Sequence, residues 1–470
     1  MQNINMTLII LISYFVLMLI ITWYFSRAQS LETYFINKRK TSLWLMVFCT
    51  VSTIVGATAT ISVVSEVSNS GISYGLVLLI AFMVGVLVLA LVAKKMKSFG
   101  DKYGAYSIAD IFHGRFDKKN HILVSILQLF ILIGWIATNI AGISIISSLV
   151  LGVNYGLAIA VAVLITIIYS AIGGLKADIM TDFVQFWVIL IPFIVMFFLG
   201  YAKIGSISNL VHKLPEGHLN LFNFGGIAWF LGTILLSGFI FLGTAYHWQR
   251  TLSAENEKVA RNSYFLSIPF LFIIGIMIIF FGLLSSVLLK NTLQDFAIFN
   301  LMSYLLPPSL TGLGFAAILA AIMSSVDSSM VAGSTIIYKL MYKDKLKNKI
   351  SIDVKSGIEN KHIKNEKKRV LIARIITAGF GIIAGGIVLI IPSIVSLSLL
   401  VSYMTLIFVP AILAALYSKK TSANASFYSI LLGFSLLIIL FPVLGKNAFI
   451  IPVLMATSIV LFYDKVFKKK

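Results

Sequence analysis

Ser324, Ser325 and Ser328, with Ala321 one turn before them, fall at i, i+3, i+4 and i+7 of a long apolar stretch. One helix face would therefore carry a small residue and three hydroxyl oxygens side by side. Asp327 borders the same stripe. An ionised Asp at the centre of a membrane helix costs roughly 2.5 to 3.5 kcal/mol on insertion scales, so it is normally paired with a cation, a proton or a water path. Such hard oxygen donors suit an alkali cation rather than a soft metal. A second stretch, Ser52-Thr53-Ile54-Val55-Gly56-Ala57-Thr58-Ala59-Thr60, contains a glycine that weakens a helix and β-branched neighbours that add little helix preference. If the backbone opens there, carbonyls such as those of Ser52 and Val55 are freed where bulk water is absent. A cation bridging them and the Ser324 and Ser325 hydroxyls would satisfy both segments at once.

The composition identifies the scaffold that must hold these groups. Of 470 residues, 59% are apolar and only 11% charged, and the mean hydropathy of +1.00 lies outside the range of soluble globular chains. The chain is expected to be an all-α integral membrane protein, because its apolar segments are too long for barrel strands and long enough to cross a bilayer as helices. Thirteen spans are expected near 7–25, 43–64, 76–93, 122–149, 155–172, 182–201, 227–246, 263–289, 309–338, 370–391, 394–417, 423–442 and 448–463. On these boundaries Asp182 and Asp327 are the acids inside the membrane.

A net charge of +20 raises nucleic acid as a partner, but its distribution excludes that reading. With the N-terminus outside and the C-terminus cytoplasmic, 33 of the 37 Lys and Arg residues fall on the cytoplasmic side, 12 of them between Lys339 and Arg374. The basic charge thus records topology, with anionic lipid contact as a secondary effect. Lone Cys49 lies within a span and reads as a small packing residue. The six His lack metal-ligand spacing, no serine-nucleophile pattern is evident, and no Gly-x-x-x-x-Gly-Lys-Ser/Thr motif supplies ATP chemistry. An ion gradient is then the energy source: one charge crossing 100 mV contributes about 2.3 kcal/mol. The first span shows no small-residue cleavage site and reads as a retained helix.

The whole chain reads as a single transmembrane domain. Setting aside 7–25 and the last two helices, 423–463, leaves ten, which the outer loop between 202 and 226 divides into two groups of five, 43–201 and 227–417. An odd number per group inverts the second, which is the topology of inverted-repeat transporters with a site at the midplane where helices are interrupted. Outside the membrane, Gln294 to Met302 has the periodicity of a short surface helix that could cap an outer vestibule. The Lys-rich segment 339–368 reads as a solvated cytoplasmic loop.

Four segments together make the chain resemble the sodium:solute symporter family, which contains sodium-coupled sugar, proline, pantothenate, sialic acid and iodide transporters. They are Tyr169-Ser170-Ala171-Ile172-Gly173-Gly174-Leu175-Lys176-Ala177 with Thr181-Asp182-Phe183-Val184-Gln185; Ser52 to Gly71; Trp248-Gln249-Arg250 through Lys258; and Leu306-Pro307-Pro308 leading into Ala317 to Ser329. The resemblance implies a leucine-transporter-type fold of ten core helices, one helix before and two after, working by alternating access. It implies a principal sodium site made by the carbonyls of Ser52, Val55 and Ala321 with the hydroxyls of Ser324 and Ser325. Some members bind a second sodium at positions that here are Asp182, Asp327 and Ser328, with Asp327 replacing a hydroxyl. Two carboxylates that close would hold a cation or share a proton.

For the solute, the expected lining is Ile54, Gly56 and Ala59 on core helix one, Gln128, Trp135, Thr138 and Asn139 on core helix three, and Thr233, Ser237 and Tyr246 on core helix six. None is cationic, which favours a neutral or zwitterionic solute. The reading is sodium-coupled symport of a small organic solute by a cell-membrane transporter, whose partners are the solute, sodium ion and the lipid bilayer. Sodium is the coupling ion and no cofactor is expected. A proton symporter using Asp327 and a solute sensor without turnover are the alternatives. Gln249 and Arg250 read as a cytoplasmic loop contact or gate brace.

Overall fold

The computed structural model describes residues 2–27, 30–289, 294–347 and 359–467. Over these the chain is helical between its turns, and its only pairing of extended backbone is a bridge between Thr41 and Ala254. Eleven helices are long and apolar enough to cross a membrane on their own. Those used below are α1 (Gln2–Phe25), α4 (Ile72–Tyr103), α5 (Lys118–Leu151), α6 (Tyr155–Ile172), α7 (Leu175–Ile204), α10 (Glu257–Leu288), α11 (Pro308–Lys347), α12 (Glu359–Ile390), α15 (Ala423–Leu444) and α16 (Ile450–Phe467). The eleventh runs from Ile394 to Tyr417 and bends at Phe408, dividing into α13 (Ile394–Ile407) and α14 (Val409–Tyr417).

Two further spans are broken. The first joins α2 (Leu43–Ile54) to a π-helical turn (Thr58–Ser62) and α3 (Val63–Ser70), with a bend of 55°. The other starts as α8 (Gly226–Leu236), passes through a 3-10 turn (Ser237–Phe239) and a short helix (Ile240–Gly243), and resumes as α9 (Ala245–Ser253). Twelve of the thirteen expected spans have a counterpart long and apolar enough to cross a membrane, and at 227–246 the apolar helix is the shorter Gly226–Leu236. Sequence places the break in the first of them at Gly56, but takes 227–246 as a continuous helix.

Boundaries differ where polar residues are buried by neighbours rather than by lipid. Helix α7 begins at Leu175, about two turns before the expected 182, because Gly174 ends the preceding turn and Asp178 is buried in the first turn of the helix. Hydropathy alone cannot register a carboxylate satisfied by a distant partner. The surface element expected over Gln294–Met302 forms as a 3-10 turn (Gln294–Phe296) and a helix (Ala297–Leu305) that buries Ile298, Phe299, Leu301 and Met302. Opposite it, the outer loop folds onto the exit of α3: the Ile72 N–H donates to the His218 carbonyl at 2.7 Å. Gly71 adopts φ +78 there, and a Cβ would collide with the His218 backbone, so glycine is required. Of the cytoplasmic segment 339–368, residues 348–358 lie outside the described residues.

Helix α11 is the centre of the bundle. It packs against α1, α2, α5, α6, α7 and α12, and Ala316 through Met323 are all buried. The run of alanines lets neighbouring backbones come close, as small residues do between membrane helices.

Candidate functional site

The break between α2 and α3 has a specific set of consequences for backbone hydrogen bonding. The last regular bond is from the Val55 N–H to the Val51 carbonyl, 3.2 Å. The Ala57 N–H, which in a continuous helix would close on the Thr53 carbonyl, instead donates to Asn139 Oδ1 on α5 at 3.1 Å. Asn139 is itself held by donating Nδ2 to the Trp135 carbonyl at 2.8 Å. The carbonyls of Ser52 and Thr53 therefore lose their helical partners in a buried place, where an unanswered polar group is costly.

Helix α11 answers them. Ser324 Oγ lies 2.8 Å from the Ser52 carbonyl oxygen and 2.8 Å from that of Ala321. Ser325 Oγ lies 2.7 Å from the Thr53 carbonyl oxygen and 3.2 Å from that of Ala321. Each hydroxyl has one proton to donate, so each pair of carbonyls shares it. Three carbonyls and two hydroxyls thus converge between a broken early helix and a continuous late one. Gly56 makes this approach possible, since a Cβ there would run into Ser325 Oγ. Of the expected set, Ser52, Ala321, Ser324 and Ser325 come together. The second carbonyl that a serine hydroxyl reaches is that of Thr53. The Val55 side chain lines a separate small apolar cavity with Ala59.

One turn farther along α11 lies a buried charge cluster. The Arg250 guanidinium on α9 reaches the Cys49 carbonyl, Ser328 Oγ, Asp182 Oδ2, and Asp178 Oδ2 at 3.4 Å. Ser328 Oγ donates to Asp178 Oδ1 at 3.1 Å, and Cys49 Sγ donates to Asp182 Oδ2 at 2.9 Å. Thr53 Oγ1 donates to the same carboxylate oxygen at 3.3 Å. Arg250, Asp178 and Asp182 are no more than 3% exposed. Four elements are tied through one planar cation, a geometry that a guanidinium fork suits better than an ammonium.

These contacts correct three expectations. Asp182 is not paired with Asp327; its counter-charge is Arg250, a gate brace on sequence but a buried ion-pair partner in the fold. Asp327 turns the other way and accepts from Ser170 Oγ on α6 at 2.6 Å, with no Lys, Arg or His in salt-bridge range among the described residues. Cys49 is a hydrogen-bond donor rather than inert packing. Asp178 escapes a reading by hydropathy because α7 starts earlier than its apolar run. Its i, i+4 spacing with Asp182 is the available signal.

A cavity of about 70 Å³ adjoins the oxygen cluster, lined by residues that include Thr53, Ile54, Gly56, Trp135, Asn139, Tyr246, Ser325 and Ser398. Its remaining walls are aromatic, aliphatic or small, from Tyr74, Phe82 and Phe241 through Leu78 and Ile240 to Ser329 and Ser402, and no Lys, Arg, Asp or Glu lines it. Five of the expected solute residues, Ile54, Gly56, Trp135, Asn139 and Tyr246, are therefore at the cavity. Ala59 faces the other cavity. Thr138 Oγ1 bonds to the Gly134 carbonyl of its own helix at 3.0 Å. Thr233 is buried away from the cavity, and the side chain of Ser237 lies outside the described residues. Gln128 serves elsewhere, donating Nε2 to the Gly243 carbonyl at 2.7 Å, at the break before α9. Trp248 Nε1 similarly serves the Leu242 carbonyl at 2.7 Å.

A model of the sodium:solute symporter family matches residues 34–433. The chain belongs to that family. This symporter is 25% identical over 331 residues to a sodium/pantothenate symporter of Haemophilus influenzae, a match covering 67% of each chain. It is 25% identical over 354 residues to a sodium/glucose cotransporter of Vibrio parahaemolyticus, covering 67% of this chain and 64% of that one. The symporter thus spans about two thirds of the length of these relatives. Its fold superposes on a Na+-coupled sialic acid symporter in a substrate-bound outward-open state with a TM-score of 0.79, covering 98% of both chains at 19% identity. A nucleobase-cation-symport-1 family transporter in a closed conformation gives 0.53 at 11% identity, covering 92% of this chain and 94% of that one. The leucine-transporter-type fold and sodium-coupled symport of a small solute hold for this chain.

Proposed function

We propose that the coupling sodium is held by the carbonyls of Ser52, Thr53 and Ala321 with the hydroxyls of Ser324 and Ser325, and that the adjoining cavity holds the solute. The convergence of two freed carbonyls with two serine hydroxyls carries this reading. Uncharged oxygens of this kind replace the hydration shell of a monovalent cation without the cost of burying an opposing charge. On binding, the hydroxyl protons turn outward and the lone pairs face the ion. Thr53 and Ser325 belong to both the ion cluster and the cavity, so filling one biases the geometry of the other.

The solute is a small neutral or zwitterionic molecule. The cavity offers hydroxyls, an amide and aromatic faces but no fixed charge, and its size leaves room for several waters rather than a large ligand. The symporter resides in the cell membrane with its N-terminus outside, as the charge bias between its two sides supports. Arg250 occupies the space between Asp178, Asp182 and Ser328, so a fixed cation stands where a second mobile one would otherwise sit.

Asp327 supports a second reading. Of three buried carboxylates, Asp178 and Asp182 share the Arg250 guanidinium and Asp327 is the one without it. A proton or cation on Asp327 would offset that surplus. Uptake by proteoliposomes under separately imposed sodium and proton gradients separates the two readings: accumulation that follows sodium supports the serine site, whereas accumulation that ignores sodium and follows protons defeats it. Solute binding without any accumulation would leave a sensor instead.

A further inference from the structure

We propose that the cleft between α14, α16 and the turn joining α14 to α15 binds the headgroup of an anionic glycerophospholipid from the cytoplasmic leaflet. The cleft encloses about 920 Å³ and is lined on one side by Leu413, Tyr417, Val460 and Leu461. Lys419, Lys420 and Lys465 are the cations in its lining. Tyr417 and Leu461 are 54% and 58% exposed, so the apolar wall is open to the hydrocarbon while the lysines sit at its end.

The charge here is surplus rather than structural. Lys419 and Lys420 form no ion pair among the described residues. Two more cations border the cleft: Lys95 Nζ stands 3.8 Å from the Tyr417 ring centroid, and Arg115 Nη2 donates to the Ser418 carbonyl at 2.5 Å. The one carboxylate in the lining, Asp464, accepts the Ser422 N–H at 2.7 Å and is thereby tied to the backbone at the start of α15. A basic rim over an apolar wall at the inner interface matches a lipid with a phosphate head and acyl tails, not a free anion, which would gain nothing from the wall. Only the choice of leaflet depends on the orientation given by the lysine distribution. Binding itself does not.

The test titrates the full-length symporter in neutral detergent with phosphatidylglycerol or phosphatidylcholine and counts retained lipids by native mass spectrometry. One phosphatidylglycerol is expected to be retained in preference to phosphatidylcholine. Combined Lys419→Gln, Lys420→Gln and Lys465→Gln substitution is expected to weaken it by about tenfold or more. Substituting Lys38, Lys102 and Lys258 by Gln, which removes equal charge elsewhere on the same side, is expected to change nothing, and replacing the three cleft lysines with Arg is expected to retain the lipid. Retention unaffected by the cleft substitutions, equal retention of phosphatidylcholine, equal weakening by the control set, or displacement by millimolar inorganic phosphate would each overturn the proposal. The substituted lysines are exposed, and matched melting temperatures would confirm that folding is intact.

Discussion

The two broken spans solve the same problem in opposite ways. At the break between α2 and α3 the freed carbonyls are answered by serine hydroxyls that can turn away, and a cavity lies beside them. At the break before α9 the carbonyls of Leu242 and Gly243 are answered by Trp248 and Gln128, side chains held fully buried. Gly243 is pressed against the Thr405 backbone, where a Cβ would not fit. One break is furnished with exchangeable partners and is fit for a ligand. The other is closed by permanent partners and serves as structure. An interrupted helix is therefore not in itself evidence of a site; what matters is whether its carbonyls have resident donors.

The largest effect expected is at Arg250, which braces the chain just before the first break. Arg250→Met leaves two buried carboxylates uncompensated and should cost about 3 to 5 kcal/mol, seen as a fall in melting temperature and in folded yield. A variant that melts like the parent would show that the cluster does not hold this region together. Gly56→Ala comes next. Its methyl group should push Ser325 away, abolish the sodium-dependent rise in melting temperature and reduce uptake by about tenfold or more, since stabilisation by a ligand tracks its affinity for the folded state.

The direct comparison is between Ser324→Ala with Ser325→Ala and Gln128→Ala. The serine variants should raise the half-saturating sodium concentration by about tenfold or more while keeping the fold. Gln128→Ala should lower stability by about 1 to 3 kcal/mol through the orphaned Gly243 carbonyl and leave the sodium dependence nearly unchanged. If Gln128→Ala shifts sodium affinity as far as the serine changes do, the distinction between the breaks collapses. Asp327→Ser should leave sodium-driven uptake intact within about threefold and flatten its pH profile; loss of all uptake would move the coupling site to Asp327. The smallest effect belongs to Tyr246→Phe, which should change the solute KM by about threefold and spare the sodium dependence, because one hydroxyl contributes about 0.5 to 1 kcal/mol.

Much of this is legible in the chain itself. Long apolar runs fix helices that must satisfy their own backbone, so thirteen spans can be placed, and Gly56 among β-branched residues marks the first break. The Ala-x-x-Ser-Ser spacing puts two hydroxyls and a carbonyl on one face of α11, and local periodicity determines that without tertiary information. What escapes reading depends on partners far apart in sequence. Arg250 is 68 residues from Asp182 and 78 from Ser328, and nothing local in Trp-Gln-Arg indicates that the guanidinium turns inward. Gln128 resembles a solute ligand because a buried amide on an apolar helix has two explanations, and only the Gly243 carbonyl chooses between them. The second break itself has a warning in Gly238 and Gly243. Its short apolar pieces, however, have the combined length of one ordinary span.

The lone thiol gives the molecule a built-in reporter. Cys49 is buried, donates to Asp182 and sits on the last turns of α2 beside the guanidinium that fastens the helices together. Because the chain has one cysteine, a thiol-selective reagent that modifies the native protein must have reached this spot. Its labelling rate with and without sodium would therefore time the loosening of that fastening, with no engineered probe and no background to subtract.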